Sequence, residues 1–123
     1  MSTDSWRVQL ELPADTRFLH VIRLTAAGAA AEAGLDAEEV EDVKIAVDEL
    51  SSVAIAAATP GGDLRLRFTA EPGSLRIDGS VPTVDPLAVD EMGEAILSAT
   101  VDRHTCAAGA PGGFELVKSH RGR

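Results

Sequence analysis

The sequence predicts an α+β fold of two layers, with helices covering one face of a mixed, mostly antiparallel sheet. Three observations carry that prediction. Residues 8–12, 64–68 and 75–77 alternate apolar and polar side chains at the two-residue period of a half-buried strand. Residues 18–29 and 40–57 repeat apolar side chains every three or four positions, the period of a helix face. The segments follow one another as β-α-α-β-β-α-β, with a short link between the second and third apolar-alternating runs that suits a hairpin.

The first strand carries Val8, Leu10 and Leu12 against Arg7, Gln9 and Glu11, and Pro13 ends it. Asp15 or Thr16 then caps a helix whose inner side is Phe18, Val21, Ile22, Thr25, Ala26 and Ala29, and Gly34 stops it. Asp36 opens the second helix, with Glu39 three residues later in a capping-box pattern. Its apolar face is continuous through Val40, Val43, Val47, Leu50, Ala54 and Ala57, and Thr59-Pro60-Gly61-Gly62 terminates it. Leu64, Leu66 and Phe68 form the next strand, and Leu75 and Ile77 the one after, joined through Glu71-Pro72-Gly73. Asp85-Pro86 has the form of a cap followed by proline at the first helical position, so a third helix is expected from there to about Thr105, with Gly93 as a break point. Ala107 to Gly113 is expected to be a loop, and Phe114 to Val117 the last strand. The 123 residues form one expected domain, with its core over about 6–118 and a frayed basic tail at 119–123, the end of the run Lys118–Arg123.

A chain of this size buries roughly two thirds of its unfolded surface, enough for a core without disulfide or metal. With three Phe, one Trp and no Tyr, that core must be aliphatic. The polar opening Met1–Trp6 has no basic flank followed by an apolar run, and Leu50–Pro60, the longest stretch of low charge, is too short to span a bilayer. Cys106 is alone, so no internal disulfide forms. A cytoplasmic location is expected. The net charge of −9 argues against direct nucleic-acid binding, which calls for a basic face, and is compatible with a basic protein partner.

Chemistry read residue by residue declares no enzyme. His20, His104 and His120 stand far apart in sequence, none at metal-ligand spacing with a second donor. Ser51 and Ser52 lie within a helix without a strand-turn-helix elbow. No phosphate-cradling glycine loop of the P-loop kind is present, and Gly61-Gly62 and Gly112-Gly113 read as turns.

The phrase Asp42-Val43-Lys44-Ile45-Ala46-Val47-Asp48-Glu49, in this order of elements, resembles the second helix of the anti-sigma serine kinases, the family of RsbW and SpoIIAB. That family has the histidine-kinase-like ATPase (GHKL/Bergerat) fold, a two-layer α/β sandwich. Supporting matches are Pro13-Ala14-Asp15, Arg23 in the first helix, Leu35, Gly93, Val101-Asp102 and Gly112-Gly113, so the resemblance covers about Trp6 to Lys118. It implies that Glu49 stands where the family has its general base.

The chain departs from the family at its nucleotide positions. The magnesium-binding asparagine expected four residues after Glu49 is Val53, which cannot coordinate a cation. An Asp-x-Gly-x-Gly turn, in which Asp reads adenine, falls on Gly79, Val81 and Thr83; Asp78 is one residue out of step and therefore on the other face of its strand. The glycine-rich lid is reduced to Gly93, with Glu91 in place of another glycine, and Phe114 replaces a polar phosphate contact. The resemblance thus implies a degenerate member without ATP or Mg2+ as working cofactors, in which Glu49 is a relic. It implies a homodimer that occludes an alternative sigma factor through Thr16, Arg17, His20 and Arg23 and is released by an anti-anti-sigma (STAS-type) protein. An active serine kinase, with ATP and Mg2+, and a scaffold that has lost sigma binding are the alternatives.

Overall fold

The structure, a computed structural model, describes residues 5–106 and 112–122. Its elements are β1 (Trp6–Pro13), a 3-10 turn (Thr16–Phe18), α1 (Leu19–Glu32), α2 (Ala37–Ala57), β2 (Asp63–Glu71), β3 (Ser74–Val81), α3 (Glu91–Thr100), β4 (Arg103–Cys106) and β5 (Gly112–Ser119). The sheet order is β1-β2-β3-β5-β4, and all of these neighbouring pairs are antiparallel, so the parallel component of the expected mixed sheet is not there among the described residues. No helix among the described residues is long and apolar enough to cross a membrane.

Local chemistry accounts for the helix ends. The Asp36 carboxylate accepts the Glu39 N–H at 2.8 Å and the Glu39 carboxylate accepts the Asp36 N–H at 2.9 Å, the reciprocal capping box. Gly34, at φ +96°, turns the chain out of α1 in a conformation that disfavours a Cβ. Strand alternation then buries one face of the sheet. Leu64, Leu66, Phe68 and Ala70 of β2, Leu75, Ile77 and Val81 of β3, and Phe114 and Leu116 of β5 all point inward. They meet Ile22, Ala26 and Ala30 of α1, Val43, Val47, Leu50 and Ala54 of α2, and Leu97 of α3. Each large aliphatic side chain buried in this way contributes about 1.5–3 kcal/mol.

The last third of the chain departs from expectation in three places. The third helix begins at Glu91, not at Asp85-Pro86, because Thr83 Oγ1 accepts the Asp85 N–H and donates to the Asp85 carbonyl, closing a turn there. The cap is Asp90, which accepts the Gly93 N–H at 2.8 Å; Gly93 lies in the first turn and does not break the helix. Second, the helix stops at Thr100, and residues 103–106 form an edge strand against β5. Val101 is extended (φ −127°, ψ 161°), and Asp102 locks the change of direction by donating its N–H to Val117 and accepting that of Ser119.

Third, the basic end is tied down through residue 121. Lys118 is buried and donates to the Thr100 carbonyl (2.7 Å) and the Asp42 carboxylate (3.1 Å). His120 donates its N–H to Gly73 in the β2–β3 turn, and its Nδ1 lies 2.8 Å from Glu39 Oε1. The Arg121 N–H reaches Glu39 Oε2 at 2.8 Å. Glu39 is wholly shielded from solvent. The Asp36 N–H first, then His120 and the Arg121 N–H, hold its carboxyl down to about 2. Residues 107–111 of the expected loop and Arg123 of the expected tail lie outside the described residues.

Candidate functional site

The four-residue spacing of Glu49 and Val53 puts both on one edge of α2. Glu49 is half-buried, and its Oε2 lies 2.7 Å from where a Cβ on Gly93 would stand, with Asp90 Oδ1 3.2 Å from the same point. The carboxylates of Glu49 and Asp90 therefore flank the first turn of α3. A groove of about 440 Å³ opens beside them, lined by Arg23, Ile45, Asp48, Glu49 and Ile96 among others. Val53 packs against the core and offers no oxygen or nitrogen ligand.

The other positions that the resemblance assigns to a nucleotide are closely surrounded by side chains. Gly79 on β3 pairs with Phe114 on β5, and the phenyl ring covers it: a Cβ at residue 79 would lie 2.3 Å from Cζ. Val81 is buried in the core. Thr83 is spent on the Asp85 turn, and its Cγ2, together with Leu87, covers Gly112, where a Cβ would meet them at 2.6 and 3.0 Å. Asp78 is on the opposite face of the sheet, as the strand period requires, and accepts from Arg76 at 3.2 Å. In the resembled family such glycines leave space for a nucleotide. Around these positions stand the side chains of Phe114, Thr83 and Leu87, and the carboxylates of Glu49 and Asp90 stand at the first turn of α3.

The expected partner surface is built by the approach to α1. Asp15 accepts the Arg17 N–H at 2.9 Å, the Arg17 guanidinium lies 5.0 Å over the Phe18 ring, and His20 Nδ1 faces the Arg17 carbonyl at 3.1 Å. Thr16, Arg17 and His20 are exposed together. Arg23, expected to be exposed with them, is partly buried and committed to Asp48 of α2 at 2.5 Å. It bridges the two helices.

Sequence reasoning left out Asp48 as the partner of Arg23 and Asp90 beside Glu49. The first depends on how two helices pack and has no sequence signal. The second had one: Asp90 stands three residues before Gly93 at the start of an apolar-periodic run, the pattern of a helix cap. The fold also brings His120 next to Asp36 and Glu39, with ligating atoms within 4.8 Å of one another, although His120 has no such neighbour in sequence. The Glu39 oxygens there are already taken by N–H donors. Burial first, and then the nearby Glu94, push the Cys106 thiol up.

The model of the histidine kinase-like ATPase domain family matches residues 12–115. The serine-protein kinase RsbW of Bacillus pumilus (strain SAFR-032) is 35% identical over 75 residues, which are 57% of this chain and 46% of that protein. RsbW of Bacillus subtilis (strain 168) is 32% identical over 71 residues, 55% and 44% of the two chains. The matched stretch thus spans less than half the length of these relatives. The crystal structure of the RsbU and RsbW domains of a Mycobacterium tuberculosis protein aligns with 94% of this chain and 32% of that one at a TM-score of 0.67 and 20% identity, a likeness of fold. Family model, relatives and fold agree: the chain belongs to the histidine kinase-like ATPase domain family and is similar over part of its length to RsbW.

Proposed function

We propose that the chain is an anti-sigma module that sequesters an alternative sigma factor by occlusion, without magnesium-ATP chemistry, and yields it to a competing anti-anti-sigma protein of the STAS type. The observation that carries this reading is Phe114 lying over Gly79, supported by the apolar Val53 against the core and by Leu87 and Thr83 over Gly112. Each puts a hydrocarbon group where a nucleotide contact is expected, and phosphoryl transfer depends on positioning and on metal-borne charge. Sigma contact is assigned to the exposed Thr16, Arg17 and His20, with Arg23 setting the α1–α2 geometry through Asp48. Arg17 presents a guanidinium able to pair with a carboxylate in two-pronged fashion. A homodimer is supported by a mostly apolar groove of about 400 Å³ between the edge strand β1 and α1, lined by Trp6, Val8, Leu24 and Ala29 among others and bordered by Glu32, where Leu24 is 70% exposed.

The test is a titration of purified alternative sigma factor against the wild type and two variants, with and without millimolar magnesium-ATP. Arg17→Ala should weaken binding about tenfold, Glu49→Gln should leave it unchanged, and nucleotide should alter neither affinity nor melting temperature. A rise in melting temperature of several degrees with magnesium-ATP overturns the nucleotide-free part. A second reading, serine kinase activity, is favoured by the similarity to serine-protein kinases and by Glu49, which is present and reaches the helix α3 beside Gly93. Phosphate transfer from ATP to a serine of the STAS-type partner, abolished by Glu49→Gln, would establish it.

A further inference from the structure

The face of the sheet turned away from the helices is uncovered, and it carries Arg7, Arg65, Arg67, Arg76 and Arg103, five of the eleven Lys and Arg residues in a chain of net charge −9. Register places them in rows across the strands. One row reads Arg7–Thr69–Arg76–Val117–Arg103, with arginines on alternate strands and no carboxylate. Strand spacing sets the arginines in it about 9.6 Å apart, over about 19 Å in all. The adjoining row reads Gln9–Arg67–Asp78–Glu115–Thr105 and is mixed in sign. Arg76 is held by Asp78 and Glu115, at 3.2 and 3.5 Å, and Arg65 by Glu11 at 3.5 Å. Arg7, Arg67 and Arg103 have no ion-pair partner among the described residues. Thr69, between Arg7 and Arg76, has a shielded hydroxyl without a hydrogen-bond partner among the described residues. The row meets a shallow hollow of about 210 Å³ lined by Thr69, Ser74, Arg76, Arg103 and Val117, with one carboxylate, Glu71, at it.

We propose that this open sheet face is a second interaction surface, which receives an acidic helix of a protein partner along the row Arg7–Arg76–Arg103. Carboxylates seven residues apart on one side of a helix recur every ~10.5 Å, which matches the ~9.6 Å step of the arginines when the helix crosses the strands. Two of the three arginines stand without a counter-charge, and a guanidinium makes its strongest contacts to carboxylates. The mixed row beside them selects against uniform polyanions. Asp78 and Glu115 repel a continuous phosphate array, and the acidic remainder of the molecule repels an extended membrane or duplex within a Debye length of ~8 Å. Discrete carboxylates at matched spacing meet the arginines and avoid the acids. The surface lies on the opposite side of the sheet from Thr16, Arg17 and His20, so a partner here does not compete for the α1 approach.

The probe is a fluorescein-labelled alanine–glutamine helix of about three heptads with glutamates seven apart, read by fluorescence anisotropy against a scrambled peptide of identical composition. Saturable binding is expected, falling about tenfold in each of Arg7→Ser and Arg103→Ser, unchanged in Lys44→Ser on the helical layer, and weaker at high salt. Both arginines are exposed and unpaired, so the variants should melt with the wild type, and that melt is the folding control. Equal affinity for the scrambled peptide, or indifference to both substitutions, overturns the proposal. Preferential binding to phosphatidylserine vesicles or to a DNA duplex also overturns it, because it would assign the row to phosphates.

Discussion

The phenyl ring of Phe114 and the α-carbon of Gly79 face each other across the β3–β5 pair, so closely that one methyl group on residue 79 would stand 2.3 Å from a ring carbon. Because the sheet's inner face lines the space between the two layers, this one pairing closes ground that a glycine on its own would leave open. It also makes the closure measurable.

Gly79→Ala should destabilise the protein by about 1–3 kcal/mol through overpacking. Phe114→Ala alone should cost about 3–5 kcal/mol by opening a cavity. The double variant should be more stable than the sum of the two, since the added methyl then enters the vacated space. Urea unfolding of all four proteins checks this, and strict additivity would show that the two residues do not compete for one volume.

Glu39 binds a proton less readily in the folded chain than its ordinary value of 4.5 allows, being held at about 2. A depressed carboxylate contributes stability that is complete above the unfolded value and is lost as pH falls from about 4.5 towards 2. The stability difference between wild type and Glu39→Gln should therefore be largest above pH 4.5 and shrink through that window. His120→Ala, which removes the second-largest cause, should shrink it in part. A difference independent of pH would mean that Glu39 acts by shape alone.

Lys118 is shielded from water while Asp42 remains about a quarter exposed. Lys118→Ala should cost about 3 kcal/mol, because Asp42 and the Thr100 carbonyl both lose their donor. Lys118→Met keeps the packing of the stem and should recover part of it. Thermal melts separate the two.

The Ser51 hydroxyl lies in the interior of α2 without a hydrogen-bond partner among the described residues. Ser51→Ala should leave stability unchanged or raise it by up to about 1 kcal/mol, since an unsatisfied polar group is removed and alanine is the better helix former. A loss of more than about 1 kcal/mol in a chemical melt would reveal a partner for that hydroxyl.

Most of the architecture was legible because periodic burial writes itself into a chain. Leu64, Leu66 and Phe68, or Val43, Val47, Leu50 and Ala54, announce which side faces inward before any partner is known. Asp36 and Glu39 announced the start of α2 in the same local way. The stretch from Asp85 to Cys106 was misread because its decisive contacts are not local. Asp85-Pro86 has cap chemistry, but Thr83 closes a turn there, and the cap that works is Asp90. Four residues, Arg103–Cys106, became a strand only because β5 had an open edge to pair with.

The candidate site divides along the same line. Residue types alone decided that position 53 offers no ligand, that Asp78 points away from its neighbours' face, and that the overall balance is acidic. Only the tertiary structure could decide that Phe114 lies over Gly79, that Arg23 is held by Asp48, and that Glu39 clasps His120 and Arg121 from more than eighty residues away. It alone gathered five arginines, dispersed through the chain from residue 7 to 103, onto one uncovered face. The physical reason is range. Period, caps and turns act within a few residues and are present in the unfolded chain, whereas volume exclusion, ion pairing across elements and strand register exist only after the chain has closed on itself.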